Sequence, residues 1–444
     1  MTTASSFRHP LWLFLAGLLC AAGTWTYASR VLVPYQIADA EAHGRPRGSF
    51  SDLYPSWVGA RELLLQSRDP YGAEITREIQ AGYYGQPLDA SQVKERRDEQ
   101  RFAYPVYELL LLAPAMRLPF PLVQKGFFWM MVVLTAASVW VWMRVLQWPA
   151  HPMAQITAIT LTLGSAAVMQ GLKLQQVSLL VAGLIAFAVL LLSKGHPLPA
   201  GVLLALACIK PQLVLLLLLW LGIWTLADLR RRYLWAVSFL VTMGLLLAAS
   251  EWLLPHWIPR FWEQARAYHT YADAVGVMEK LVGLVLGGTL ELLALATMVG
   301  ICWRERRSAA NTGAFAFTSA LVLAITTLLV PKYAPYNHVL LLPAVLVLVE
   351  DRHTLWRQSW ASRVLFATAA ILVCWPWFAS VALAALSFIL PQQSVERAWA
   401  VPGWTALPLP VGVAAVMLVH AWRLPFAAPA SANVVECQGQ VSRD

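Results

Sequence analysis

Twelve stretches of this chain are apolar for the thickness of a bilayer, or nearly so, and that pattern limits the fold more than any motif. A helix needs about 20 apolar residues to cross the hydrocarbon. The runs are 11–29, 105–118, 123–146, 153–169, 176–193, 199–226, 233–254, 280–302, 313–330, 336–349, 363–390 and 406–422. Hydrophobic residues make up 59% of the 444 residues and charged residues 13%. Soluble domains run at about 45–50% and about 25%. A soluble or disordered chain is excluded on these grounds. The sequence predicts an all-α polytopic membrane protein, one domain over 1–426, with 427–444 a flexible cytoplasmic tail. The first run reads as an uncleaved anchor.

The net charge is +9. The positives sit in short clusters between apolar runs, as on the cytoplasmic side of a membrane protein, not in one basic patch. No nucleic-acid partner is expected. Arg230–Arg232, then Arg304, Arg306 and Arg307, then Arg352, Arg357 and Arg363, then Arg423 fall in alternate loops. Placing them all inside puts both termini in the cytoplasm and residues 30–103 outside. The preferred scheme has twelve crossings. A rival makes 105–118 re-entrant and folds 199–226 into a hairpin at Lys210-Pro211; it brings Arg144 and Lys194 inside, and parity is the same in both. The five cysteines form no CxxC pair, so neither a disulfide framework nor a zinc site is expected. No Walker loop, GxGxxG or HExxH occurs. Neither cofactor nor metal is expected.

Residues 30–103 carry ten Lys/Arg against eleven Asp/Glu, so this long outer loop is nearly neutral. Such loops are functional or disordered, and recurring aromatic and apolar residues speak for structure. Leu53, Trp57, Ala60 and Leu64 fall on one helical face. The expectation is a helix lying along the outer interface, with Trp57 as anchor. Asp52 precedes it either as a helix N-cap or as a carboxylate held at the membrane surface for chemistry. Tyr104 sits where the second apolar run opens. The loop 255–279 is rich in aromatics and is expected to cover the site.

Lys210 lies in the middle of an apolar stretch, beside Pro211. A mid-membrane charge costs at least about 2.5–3.5 kcal/mol and usually faces a wet cavity, and the proline removes a backbone donor there. Lys210 therefore reads as an anion ligand, against the alternative of a snorkelling lysine. Lys332, Tyr336, Asn337 and His338 form a short outer loop on the same side as Asp52. Gln175-Gln176-Val177-Ser178 opens the fifth run, with Gln170 just before.

The order of these pieces resembles a known family. Ser51-Asp52-Leu53-Tyr54-x-x-Trp57 is followed by Arg61-x-Leu63-Leu64, Asp69-Pro70-Tyr71 and Tyr104-Pro105. Then come Gln176-Val177-x-Leu179-Leu180, Ala200-Gly201 leading to Lys210-Pro211, and Pro335-Tyr336-Asn337-His338. Over about residues 11–350 this resembles glycosyltransferase family 87, the polyprenol-phosphate-mannose-dependent α-mannosyltransferases of the GT-C superfamily. Where the family often has Gly-Gln and Trp-Asp-His, this chain has Gln175-Gln176 and Tyr336-Asn337-His338. The resemblance implies a GT-C-like fold of about twelve transmembrane helices, with Asp52 as catalytic base and Lys210 and His338 as ligands of the lipid phosphate or sugar. Tyr336, Asn337, Tyr54, Trp57, Tyr104, Gln176 and Lys332 complete the expected substrate-binding set. It implies an inverting transfer of a sugar, mannose first, from a polyprenyl-phosphate donor to a lipid or glycan acceptor among membrane lipids. The place implied is the outer face of a bacterial inner membrane, in cell-envelope synthesis. The competing readings are a transporter or flippase, which the broken helix at Pro211 suits, and a non-catalytic envelope scaffold.

Overall fold

A computed structural model describes residues 8–42, 51–85, 87–88, 99–271, 275–331 and 333–423. Among them every regular element is helical. Lys332 and the tail at 427–444 lie outside the described residues.

The chain opens with α1 (Arg8–Tyr27), which passes through a π-helical turn (Ala28–Leu32) into α2 (Val33–Ala42). The first loop then folds into α3 (Leu53–Gln66) and α4 (Ala73–Tyr84). A short α5 (Val106–Leu112) with a 3-10 turn (Ala113–Ala115) leads into α6 (Phe120–Val145). Next come α7 (Pro152–Leu163), α8 (Ala166–Leu174), α9 (Val177–Ser193), α10 (Pro197–Ala207), α11 (Pro211–Leu226) and α12 (Leu229–Leu253). The helix α13 (Trp257–Tyr271) precedes α14 (Val277–Val282), α15 (Leu284–Glu305) and α16 (Gly313–Leu329). A 3-10 helix (Pro335–Leu341) runs into α17 (Leu342–Glu350), followed by α18 (Arg352–Arg357), α19 (Trp360–Leu386), α20 (Gln392–Glu396) and α21 (Leu409–Arg423).

Among the described residues five helical stretches are long and apolar enough to cross a membrane: Leu11–Ala42, α6, α12, α15 and α19. The α7–α8 pair, bent by 56°, makes a sixth if taken as one broken span. The bend falls at Gly164, where a Cβ would stand 2.3 Å from the Ala21 Cα. A glycine there lets α1 pass directly against the kink.

Two expected crossings turn out differently. The 105–118 run forms only α5 and its 3-10 turn, about 15 Å of helix. That is half the hydrocarbon thickness, so this segment does not cross. The 199–226 run is not one helix but two, broken at residues 208–210. Ser238 Oγ donates to the Leu198 carbonyl at the start of α10 (2.7 Å). Arg232 Nη1 donates to the Trp224 carbonyl at the end of α11 (2.6 Å). Both outer ends of the run therefore meet the first half of α12, and α10–α11 is a hairpin with Lys210 at its tip. Proline supplies the cause: Pro211 starts a helix readily but cannot continue one.

The hairpin also resolves the charge pattern. Gln147, just past α6, donates to the Asn311 carbonyl (2.6 Å). Arg232 donates to the carbonyls of Arg306 (2.7 Å) and Ser308 (3.0 Å). Arg144, Arg230–Arg232 and Arg304–Arg307 thus gather at one end of the bundle. The opposite end holds the first loop.

In that loop α3 packs largely into protein: Leu53, Trp57 and Ala60 are buried, and so are Pro55, Ser56, Val58 and Glu62, while Arg61, Leu65 and Gln66 are exposed. Its polar residues are matched internally, Glu62 by Arg68 (2.7 Å) and Ser56 by Glu108 (3.1 Å). The amphipathic α13 docks on this loop: Arg260 pairs with Asp69 (2.8 Å), and Gln264 Nε2 donates to the Tyr71 carbonyl (3.2 Å).

Candidate active site

Asp52 occupies the N-cap position of α3 but makes no side-chain cap. Its backbone N–H donates to the Leu174 carbonyl at the end of α8 (3.1 Å), which locks the helix start against the α8–α9 junction. The carboxylate turns instead to Gln176, whose Nε2 donates to Oδ2. Asp52 is half-buried.

Gln176 is presented by an unusual turn. Gln175 has φ 48°, in the left-handed region that favours glycine. Here Gln175 holds the conformation with its side chain, accepting from Gln124 Nε2 (3.2 Å).

The other face of the Gln176 carboxamide meets Lys210, whose Nζ donates to Oε1 (3.3 Å) and to Ser178 Oγ (2.7 Å). Ser178 in turn donates to Asn337 Oδ1 (2.8 Å). The ammonium lies 4.9 Å from the centroid of the Tyr336 ring, a cation–π contact. One polar chain therefore runs from Asp52 through Gln176, Lys210 and Ser178 to Asn337. It joins residues up to 285 positions apart in sequence. Lys210 is only 6% exposed, and a buried ammonium needs such partners. The geometry does not fit a lysine that snorkels to water.

Tyr104 stands over this chain. Its burial, with Glu108, Tyr336, Tyr268 and Asp52 nearby, holds the phenol well above its ordinary value. Tyr71 fixes this loop by donating to the Tyr104 carbonyl (2.7 Å).

His338 is buried beside Asn337 but faces a different space. With Gln170, Ala158, Val339, Val345 and Trp404 it lines an apolar groove of ≈ 1030 Å³. Its ring is 5.9 Å from that of Tyr333. Tyr54 and Trp57 form a floor, their rings 5.0 and 5.4 Å from that of Phe120. The Tyr54 hydroxyl presses on Gly82, where a Cβ would lie 2.0 Å away. These two aromatics pack into the scaffold.

Ser178 joins the polar chain without a distinctive sequence signal, since a serine at the start of an apolar run is commonplace. Glu108, beside the chain, carries the clearer signal of a lone acid in an apolar run. Among the described residues no three His, Cys, Asp or Glu side chains converge as a metal-binding group.

The structure is that of a helical membrane protein in which a half-buried carboxylate and a buried cation share one polar chain beside an apolar groove. The model of glycosyltransferase family 87 matches residues 102–331, just over half of the chain. The chain belongs to that family and is a membrane-embedded glycosyltransferase. Lys210, Gln176, Ser178, Tyr104 and Glu108 lie inside the matched segment, while Asp52 and Tyr336–His338 lie outside it. No curated protein and no solved structure matches the chain.

Proposed function

We propose that this glycosyltransferase moves mannose from a polyprenyl-phosphate donor to a hydroxyl of a lipid or glycan acceptor, with inversion at the anomeric carbon. The observation that carries the reading is the wiring of Asp52 to Lys210 through one carboxamide, next to the mouth of an apolar groove. A lipid-linked sugar phosphate has the matching parts: a long apolar chain, one phosphate and one sugar.

In this reading the prenyl chain lies in the groove and the phosphate sits at Lys210, with His338 on the groove side. The acceptor hydroxyl attacks the anomeric carbon from the face opposite the phosphate and gives its proton to Asp52. The bond from that carbon to the phosphate oxygen breaks, its electron pair stays on the phosphate, and Lys210 stabilises the charge that develops there. A single displacement inverts the centre. Tyr104 and Asn337 are placed to hold sugar hydroxyls. The gathering of Arg144, Arg230–Arg232 and Arg304–Arg307 at the opposite end supports a cytoplasmic assignment for that end. The site then faces outward from a bacterial inner membrane, with both termini inside and envelope glycans or lipids as acceptors.

The test is Asp52→Asn in purified, folded protein supplied with polyprenyl-phosphate mannose and membrane lipid extract. General-base loss costs about 10²–10⁴-fold in turnover. Near-normal turnover by the variant removes Asp52 from the role. Release of free polyprenyl phosphate only when acceptor is added separates transfer from lipid translocation.

A further inference from the structure

Three glutamates are buried among the described residues, and the mechanism above uses none of them; Glu62 and Glu305 pair with Arg68 and Arg304. Glu108 is 3% exposed on α5, a helix too short to cross the membrane. Its two carboxyl oxygens stand 3.1 and 3.2 Å from one hydroxyl, that of Ser56. Ser56 is its hydrogen-bond partner among the described residues, and one hydroxyl proton serves one oxygen at a time. An ionised buried carboxylate needs more donors than this.

Its position is also telling. Ser56 follows Asp52 by four residues on α3, so the two share a helix face. Tyr107, the neighbour of Glu108, donates to the Cys208 carbonyl at the hairpin tip (2.8 Å), which ties α5 to the turn that presents Lys210. The groups that bear on Glu108 come from every side: Lys210 from the hairpin tip, Ser56 from α3, Tyr71 from the turn before α4, Tyr104 from the adjoining loop and Tyr107 from α5 itself. Asp52 reaches the same Tyr104. Burial pushes the Glu108 carboxyl up to about 8, against the opposing pull of the Ser56 hydroxyl and the Lys210 charge.

We propose that Glu108 is a positioning carboxylate that acts through Lys210: it keeps its proton while an anionic sugar donor occupies the site, and its ionisation expels the donor's phosphate. This rests on the donor reading above. With Glu108 neutral, Asp52 and Lys210 balance, and the site admits one further negative charge. With Glu108 ionised, Lys210 is claimed by two carboxylates before the phosphate arrives. Two like charges about 8 Å apart at an effective dielectric near 20 weaken binding more than about tenfold. The acid thus sets an upper pH limit on donor binding.

The experiment measures binding of a polyprenyl-phosphoryl hexose to the full chain in detergent between about pH 6 and about pH 9.5. The phosphodiester keeps one negative charge throughout, so the ligand does not titrate. A group titrating near 8 makes wild-type binding about tenfold weaker at about pH 9 than at about pH 7. Glu108→Gln keeps the Ser56 hydrogen bond and binds with no such decline. Ser56→Ala removes a bond that favours the ionised form, so its decline moves to higher pH. A decline that survives in Glu108→Gln overturns the proposal, as does loss of binding by that folded variant at every pH. An unmoved midpoint in Ser56→Ala overturns it too. Failure of the donor reading looks different: wild type then binds the lipid at no pH, and both proposals fall.

Discussion

Gln176 uses one carboxamide for two purposes. Its Nε2 holds the Asp52 carboxylate and its Oε1 receives the Lys210 ammonium. A carboxamide cannot be reversed here without setting Nε2 against Nζ and Oε1 against Oδ2, so both neighbours fix its orientation. It is also neutral, which keeps the acid and the cation apart without adding a third charge. Gln176→Ala removes both contacts and leaves the ligands themselves in place. We expect kcat to fall about 10–100-fold with KM nearly unchanged, because misplacement of reacting groups by about 1 Å costs on that order. Steady-state kinetics on the folded variant checks this; a change in KM alone assigns Gln176 to binding. Asn337 illustrates the same economy of charge. It is a neutral amide that accepts from Ser178.

Two junctions between helices set the site, and neither is a long span. The first is the α8–α9 turn, where Gln175 is left-handed at φ 48°. A β-branched residue there is a true outlier, and glycine is at ease. Gln175→Gly is therefore expected to keep activity within about twofold, while Gln175→Val lowers it at least about tenfold by moving Gln176. Activity per unit of folded protein, judged by gel-filtration profile, tests the pair; equal effects of both variants refute the backbone argument. The second junction is the tip of the α10–α11 hairpin. Lys210 has φ −126° and ψ 74°, outside the helical range, and Pro211 begins the next helix. The tip is held by the Tyr107 hydroxyl on the Cys208 carbonyl. The Lys-Pro pair in an apolar run announced a break. Its direction was hidden, because a kinked single span and a hairpin have the same local sequence. Contacts of Leu198 and Trp224 with α12 decide between them.

At the level of the whole molecule, an apolar groove and a polar site share the segment Asn337-His338. Asn337 belongs to the polar chain, and His338 lines the groove. Ala158, on the groove wall, offers a way to separate chain recognition from chemistry. Ala158→Trp fills volume and is expected to raise KM about tenfold for a long polyprenyl donor, about 1.4 kcal/mol. A short-chain donor should be used with unchanged KM. Equal loss with both donors removes the groove from the reading. The distribution of charge is also a property of the whole molecule. With 105–118 counted as a crossing, Arg144 and Lys194 were stranded at the wrong end. The hairpin and the short α5 trade one reversal for another, and Gln147 then meets Asn311 beside the arginine-rich loops.

Composition and run length were enough to establish an apolar, helical membrane protein, because hydrocarbon leaves the backbone few other ways to satisfy its hydrogen bonds. Charge imposed the same kind of limit on Lys210: a lone ammonium in an apolar run must find partners, and it does. Which partners it finds was beyond the sequence. Gln176 and Ser178 meet Lys210, and through them it is joined to Asp52 and Asn337; these contacts link helices distant in the chain, and local pattern carries no information about such pairings. The spacing of Leu53, Trp57 and Ala60 marked a helix, yet how much of it meets protein depends on α4, α5 and α6 packing against it. Burial of that kind is decided by packing, and only the tertiary structure records it.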